Sequence, residues 1–185
     1  MFHDQTGPVY DMLDRLRAKL AEEGIEYVVI GAFALGAHNY RRATTDADLV
    51  VRRTDWERFR SRFVGKDYQA VEGRSRRFYD PAVNLTFDLL IAGEFADRTD
   101  RNKLIKFPDP SEAVEIDGLP MVTLATLVEL KLVTWRLKDW ADVVALIRAN
   151  NLDESFAQQL NPLVRMAYLE CYDNKVEEDR YDRET

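Results

Sequence analysis

The sequence predicts an α+β fold: a mixed β-sheet flanked by helices, with a C-terminal helical region. Three observations lead there. Short apolar runs that fit strands alternate with segments of helical period up to residue 122. Asp117-Gly118 lies between two such runs, Ala113–Ile116 and Leu119–Val122, which is a strong hairpin signal. From Thr123 onward only helical periodicity remains. The expected division is an α/β core over 1–122, a helical cap over 123–176 and a flexible acidic tail over 177–185.

In chain order, Val9, Met12, Leu13, Leu16 and Leu20 form one apolar stripe of a first helix, with Pro8 in its first turn and Gly24 at its C-cap. Ile25–Ile30 is nearly all apolar, as a strand buried on both faces would be. Residues 31–39 are rich in Ala and Leu and are expected to form a short helix packed on the sheet. A second strand is expected over 47–52. Thr54 and Glu57 have capping-box spacing for a helix reaching Phe63 and ended by Gly65. Strands follow at 68–72, 76–79 and 85–91, with Asp80-Pro81 as the turn between the last two. Residues 97–109 read as a surface excursion. Thr123 caps a helix carrying Leu124, Leu127, Val128, Lys131 and Leu132. Trp140, Val143, Val144 and Ile147 mark another helix, with Asp139 as its expected cap, and 156–172 a last one.

Composition excludes several classes. The 185 residues are 46% hydrophobic and 32% charged, enough to bury a core. No apolar run approaches the ~20 residues of a membrane span, and the first residues have neither the basic nor the apolar region of a signal peptide. A single cysteine, Cys171, excludes an internal disulfide framework and fits a cytoplasmic setting. Two histidines and one cysteine make a poor zinc set. A net charge of −7 argues against duplex DNA as a partner. Arginines nevertheless cluster, at Arg41, Arg42, Arg52, Arg53, Arg58, Arg60 and Arg62, and again at Arg74, Arg76 and Arg77. They fit either solvated faces or a basic rim for a polyanionic substrate.

The chemistry concentrates between Ile30 and Asp48. A strand enters a small-residue turn, Gly31-Ala32, and a helix follows, so backbone N–H groups there can meet phosphate. Asp46 and Asp48 then stand two apart on a strand and share a face. Two converging carboxylates repel unless a cation sits between them, and a divalent ion bound by oxygen ligands is the simplest one. The spacing alone is weak, since aspartate is about one residue in ten here. Asp88 strengthens it. It interrupts the apolar strand 85–91, on the face opposite Phe87, Leu89 and Ile91, where a charge needs a partner. That partner is either the same cation or one of the hairpin arginines. His38 is expected to be packed or exposed and not catalytic, and Trp135, Trp140 and Cys171 are expected to be core residues.

Together, Gly31-Ala32, Arg42-x-Thr44-x-Asp46-x-Asp48 and the later strand residue Asp88 resemble the nucleotidyltransferase superfamily, the DNA polymerase β-like fold. They resemble its small bacterial branch, which includes toxins of type IV toxin–antitoxin pairs. The segment from Glu129 through Lys131 and Lys138-Asp139 to Asp142 resembles that branch's helical region. The resemblance covers roughly residues 24–150. It implies Mg²⁺, or Mn²⁺ in its place, held by Asp46, Asp48 and Asp88. It implies a nucleoside triphosphate held at Gly31, Ala32, Arg42, Thr44 and Lys131, with Arg42 either meeting phosphate or bracing Asp46. Asp88 would draw the proton from an acceptor hydroxyl, which attacks the α-phosphorus as pyrophosphate leaves. The implied acceptors are a protein side chain, a tRNA 3′ end or a small hydroxylated molecule, and an antitoxin protein is an implied partner. The family usually carries Gly-Ser or Gly-Gly where this chain has Gly31-Ala32, which removes a hydroxyl from the turn. That difference supports an alternative, a catalytically weak or inactive nucleotide-binding or protein-interaction module on the same fold.

Overall fold

The computed structural model describes residues 7–97 and 105–184. The leader reading at residues 1–6 and most of the expected excursion, 98–104, lie outside them, as does Thr185. Helix α1 (Pro8–Glu22) has Pro8 at N1 and buries Met12, Leu13, Leu16 and Leu20. Gly24, at φ 61°, closes it. Its N–H donates to the Ala21 carbonyl and that of Ile25 to the Leu20 carbonyl, which satisfies the last carbonyls of the helix. Strand β1 (Tyr27–Ile30) runs directly into the short helix α2 (Gly31–Ala37), and β2 (Asp46–Val51) follows.

Helix α3 (Arg53–Phe63) begins one residue before the place Thr54 was expected to cap. Arg52 is its N-cap and no side chain caps it; the Trp56 N–H bonds to the Arg52 carbonyl, which places Thr54 inside the first turn. The hairpin strands are β3 (Gln69–Ala70), β4 (Arg77–Asp80) and β5 (Leu85–Ile91). Asp80 Oδ1 accepts from the Ala82 N–H in the turn between the last two. Strands β6 (Val114–Ile116) and β7 (Leu119–Met121) flank Asp117 and Gly118, both at positive φ (52° and 79°), the geometry of a two-residue hairpin turn.

Among the described residues, the strands form one seven-stranded mixed sheet in the order β3-β4-β5-β2-β1-β7-β6. β2 and β5 pair in parallel, with Asp48 opposite Asp88; β1 and β2 pair antiparallel, with Ile30 opposite Asp48. The centre of the sheet is therefore where the carboxylates meet the β1–α2 turn. Thr123 caps α4 (Leu124–Leu132) through the Thr126 N–H, and α5 (Leu137–Ala149) packs on it. The last expected helix is split. Pro162 lacks an N–H and cannot continue a helix. Residues Glu154–Gln159 and Pro162–Val164 are short 3₁₀ turns, and α6 (Arg165–Glu184) continues past the expected end at Tyr172. Arg148 ties α6 to α5 through Glu178 and Asp179. Among the described residues no helix is long and apolar enough to cross a membrane.

One face of the sheet rests on an aromatic cluster. Phe59 of α3 is fully buried and meets Phe63, Tyr68, Phe78 and Phe87 at ring separations of 5.4–6.0 Å. Phe87 lies next to Asp88 in β5, so this cluster fixes the strand that carries the third carboxylate. Phe59→Ala is expected to lower the unfolding free energy by about 3–5 kcal/mol in denaturant titration; a loss under about 1 kcal/mol contradicts this role.

Candidate active site

Asp46 and Asp48 face the same side of β2, and Asp88 stands beside Asp48 on β5. All three line a cleft of about 740 Å³ between the sheet and the α4–α5 pair, together with Gly31, Ala32, Arg42 and Lys131. Seven of the eight residues singled out from the sequence thus reach one cavity. The eighth, Thr44, acts just behind it: its hydroxyl donates at 3.0 Å to Asp46, where both the carbonyl and Oδ1 are in range, and so orients that carboxylate.

Gly31 explains why the β1–α2 junction can exist. Its φ is 67°, and a Cβ there would lie 2.2 Å from Asp48 Oδ2. Any side chain at this position would both strain the backbone and displace the carboxylate. No side chain caps the start of α2, so its first N–H groups, at Gly31 and Ala32 on the cleft wall, remain available to an anion.

The carboxylates are held by an arginine that the sequence reading left in a general basic cluster. Arg77, opposite Asp88 in the β4–β5 register, donates from Nε to Asp88 Oδ1 (3.1 Å) and from Nη2 to Asp88 Oδ2 (2.9 Å). Nη2 also reaches Asp46 Oδ2 at 3.3 Å. The expected alternative of an arginine partner for Asp88 is therefore present in the geometry. Arg42 does not brace Asp46; its Nε pairs with Asp142 Oδ1 at 3.1 Å. Burial, and after it the neighbouring Asp46 and Asp88 carboxylates, push the Asp48 carboxyl up to about 6, against the pull of Lys131 and Arg77.

Lys131 sits at the cleft wall, 7% exposed, with Nζ bonded to Asp139 Oδ1 (3.0 Å) and Asp142 Oδ2 (2.8 Å). Asp139 is not a cap. It lies in the first turn of α5, fully buried, and also accepts from the Thr134 hydroxyl and from Arg136 Nε. Burial alone would raise its carboxyl; the Thr134 hydroxyl and the Lys131 and Arg136 cations outweigh it and hold it below the usual carboxylate value. The network locks α4 to α5 and to the Arg42 loop. Outside the cleft, His38 Nε2 bonds to the Val122 carbonyl at 2.8 Å, and Cys171 is buried with its thiol pushed up to about 12 by that burial. Trp135 is not a core residue: it is 56% exposed, at φ 55°, with its ring against Trp140.

The donor set suits a hard divalent cation, since all three groups are carboxylates and they crowd one another enough to raise the Asp48 carboxyl. Among the described residues no three such side chains close on a common metal position as they stand. Asp46, Asp48 and Asp88 are the residues whose chemistry suits such an ion, and Arg77 pairs with two of them.

No family model matches the chain, and no curated protein matches it. Among solved structures it is similar to a crystal structure of the aminoglycoside nucleotidyltransferase ANT(2″)-Ia in complex with adenylyl-2″-tobramycin. That similarity has a TM-score of 0.52 and 15% identity, covering 88% of this chain and 97% of that one. A solution structure of the same antibiotic-resistance factor gives 0.48 and 14%, with 92% and 96% covered. The fold is thus the nucleotidyltransferase type, a mixed sheet with flanking and C-terminal helices.

Two outcomes follow. In the unfolded chain Asp48 titrates near 3.8. The folded chain binds that proton more tightly, so the stability Asp48 contributes is greatest below about pH 4 and is lost as pH rises to about 6. In metal-free buffer, the stability advantage of Asp48→Asn over the native chain should grow from near zero at about pH 4 to about 2 kcal/mol at about pH 7.5. Urea titrations with EDTA measure this, and a variant less stable than the native chain at the higher pH contradicts it. Lys131→Met leaves Asp139 and Asp142 short of a partner and should cost about 3 kcal/mol of stability, read in the same titrations.

Proposed function

We propose that the chain is a divalent-cation-dependent nucleotidyltransferase, moving a nucleoside monophosphate from a nucleoside triphosphate to an acceptor hydroxyl. The observation that carries this reading is the register of β2 and β5, which sets Asp48 beside Asp88 and opens both, with Asp46, into the cleft that the β1–α2 turn borders. ANT(2″)-Ia, whose fold this chain shares, is described in complex with an adenylylated acceptor.

Asp46, Asp48 and Asp88 would hold Mg²⁺ or Mn²⁺, which supplies charge stabilisation to the attacking and leaving oxygens. The uncapped start of α2 at Gly31-Ala32 would take the triphosphate end, with no hydroxyl contribution from Ala32. Lys131 and Arg42 present positive charge from the opposite wall, each already aligned by a buried aspartate. The acceptor oxygen forms a bond to the α-phosphorus, the bond from that phosphorus to the β-phosphate oxygen breaks, and pyrophosphate departs. Asp88 takes the acceptor's proton. A protein side chain, a tRNA 3′ end or a small hydroxylated molecule can supply that hydroxyl. A toxin opposed by an antitoxin protein is the form the proposal takes with a macromolecular acceptor.

A second reading, a nucleotide-binding module without turnover, draws on Ala32 and on the Arg77 contacts that cover two of the three carboxylates. Incubation with each of the four nucleoside triphosphates and Mg²⁺ should release pyrophosphate in the presence of acceptor. Asp46→Ala and Asp48→Ala should each reduce release to background. Nucleotide that binds irrespective of Mg²⁺ and stays intact favours the second reading.

A further inference from the structure

Arg77 bonds directly to the carboxylate site, yet the mechanism gives it no part. Its position is set by the sheet. The β4–β5 register places it opposite Asp88, and its fork covers both Asp88 oxygens and reaches Asp46 Oδ2. One guanidinium therefore occupies oxygens of two of the three side chains assigned to the divalent cation. Planar, bidentate pairing of this kind is the strongest common arrangement for an arginine and a carboxylate.

The backbone that carries Arg77 is anchored independently of its side chain, whose bonds go to the carboxylates. The preceding residue, Arg76, donates to Glu94 Oε1 at 2.7 Å and lies 4.6 Å from the Trp56 ring centroid, and its carbonyl accepts from the Leu89 N–H at 2.9 Å. Arg77 itself is 35% exposed and lines the cleft. Rotation about its own side-chain bonds frees the carboxylates without moving β4.

We propose that Arg77 is a built-in latch on the carboxylate site. It stands in for the divalent cation in the ligand-free protein and leaves when cation and nucleotide arrive together. The inference rests on the nucleotidyltransferase reading above. In the empty site the guanidinium offsets the mutual repulsion of Asp46, Asp48 and Asp88, which is why the strands can hold them so close. A divalent cation arriving alone must break those contacts and leave a cation of like charge beside it. With a triphosphate present, the released guanidinium gains an anion in the same cleft. Metal and nucleotide binding are then coupled, each strengthening the other by the same factor.

The test is calorimetric titration of the full chain with Mn²⁺, with and without a non-hydrolysable nucleoside triphosphate analogue. It uses the native chain, Arg77→Gln and Arg77→Lys, each first shown by circular dichroism and denaturant titration to be folded. Arg77→Gln should bind Mn²⁺ alone about tenfold more tightly than the native chain, equivalent to about 1.4 kcal/mol. Its gain in Mn²⁺ affinity on adding the analogue should shrink toward unity. Arg77→Lys keeps the charge but loses the fork and should fall between, so it carries the test if the Gln variant does not fold. Equal or weaker Mn²⁺ binding in the variants overturns the latch and makes Arg77 a positioning residue for Asp88. Asp48→Asn separates this from the parent reading. If it abolishes analogue-dependent Mn²⁺ binding, the carboxylate site stands whatever Arg77 does. If neither the native chain nor any variant binds Mn²⁺, both fall.

Discussion

Repulsion among Asp46, Asp48 and Asp88 is the constraint around which this molecule is arranged. Parallel pairing of β2 and β5 sets Asp48 beside Asp88, and the period of a strand brings Asp46 to the same face. The cost is visible in the Asp48 carboxyl, raised to about 6. Two features make the crowding tolerable. Arg77 places positive charge on Asp46 and Asp88, and Gly31 leaves room for the Asp48 carboxylate where any side chain would collide. The aromatic cluster around Phe59 fixes β5 from the other face. A scaffold that pays for such proximity at its sheet centre is organised to gain from a cation there, which connects its energetics to its proposed chemistry.

The opposite wall of the cleft solves a related problem. Lys131 is buried between Asp139 and Asp142, and those two also engage Arg136 and Arg42. Each buried charge is paired and hydrogen-bonded, as a buried ion pair must be if it is not to destabilise the fold. The consequence is an α4–α5 junction cross-linked by ion pairs, with Lys131 on the wall of the cleft that the carboxylates line. Arg77, by contrast, is held through its backbone by β4 and through its side chain by the carboxylates themselves. The cleft thus has one cationic wall paired with buried aspartates and one cation paired with the carboxylates of the sheet.

Much of this was legible in the sequence, for physical reasons. The β1–α2–β2 segment was readable because apolar runs and a glycine turn punctuate it sharply, and Asp88 stood out because a charge inside Leu85–Ile91 demands a partner. The cap at Thr123 and the Asp117-Gly118 hairpin follow local rules that tertiary packing did not override. The Thr54–Glu57 capping box failed because the helix is capped at Arg52 and begins at Arg53, a shift of two residues that local propensity does not resolve. Asp139 was misplaced because its true partner, Lys131, is on another helix. Arg77 was missed as an individual residue although a signal existed: the Asp80-Pro81 turn fixes a register in which Asp80 faces Leu85, and that register puts Arg77 opposite Asp88. The arginine clusters mostly resolve into ion pairs, several with residues distant in the chain, such as Arg52 with Asp109 and Arg62 with Glu23, which spacing along the chain cannot reveal.

The central claim is that the three carboxylates form a divalent-cation site that Arg77 covers in the absence of ligand. The most direct measurement is an anomalous difference map from a crystal grown with Mn²⁺ and a non-hydrolysable nucleoside triphosphate analogue. The account predicts manganese density bounded by Asp46, Asp48 and Asp88, with the Arg77 guanidinium no longer bonded to both Asp88 oxygens. A map with bound analogue, no manganese at these carboxylates and Arg77 still forked on Asp88 would contradict it.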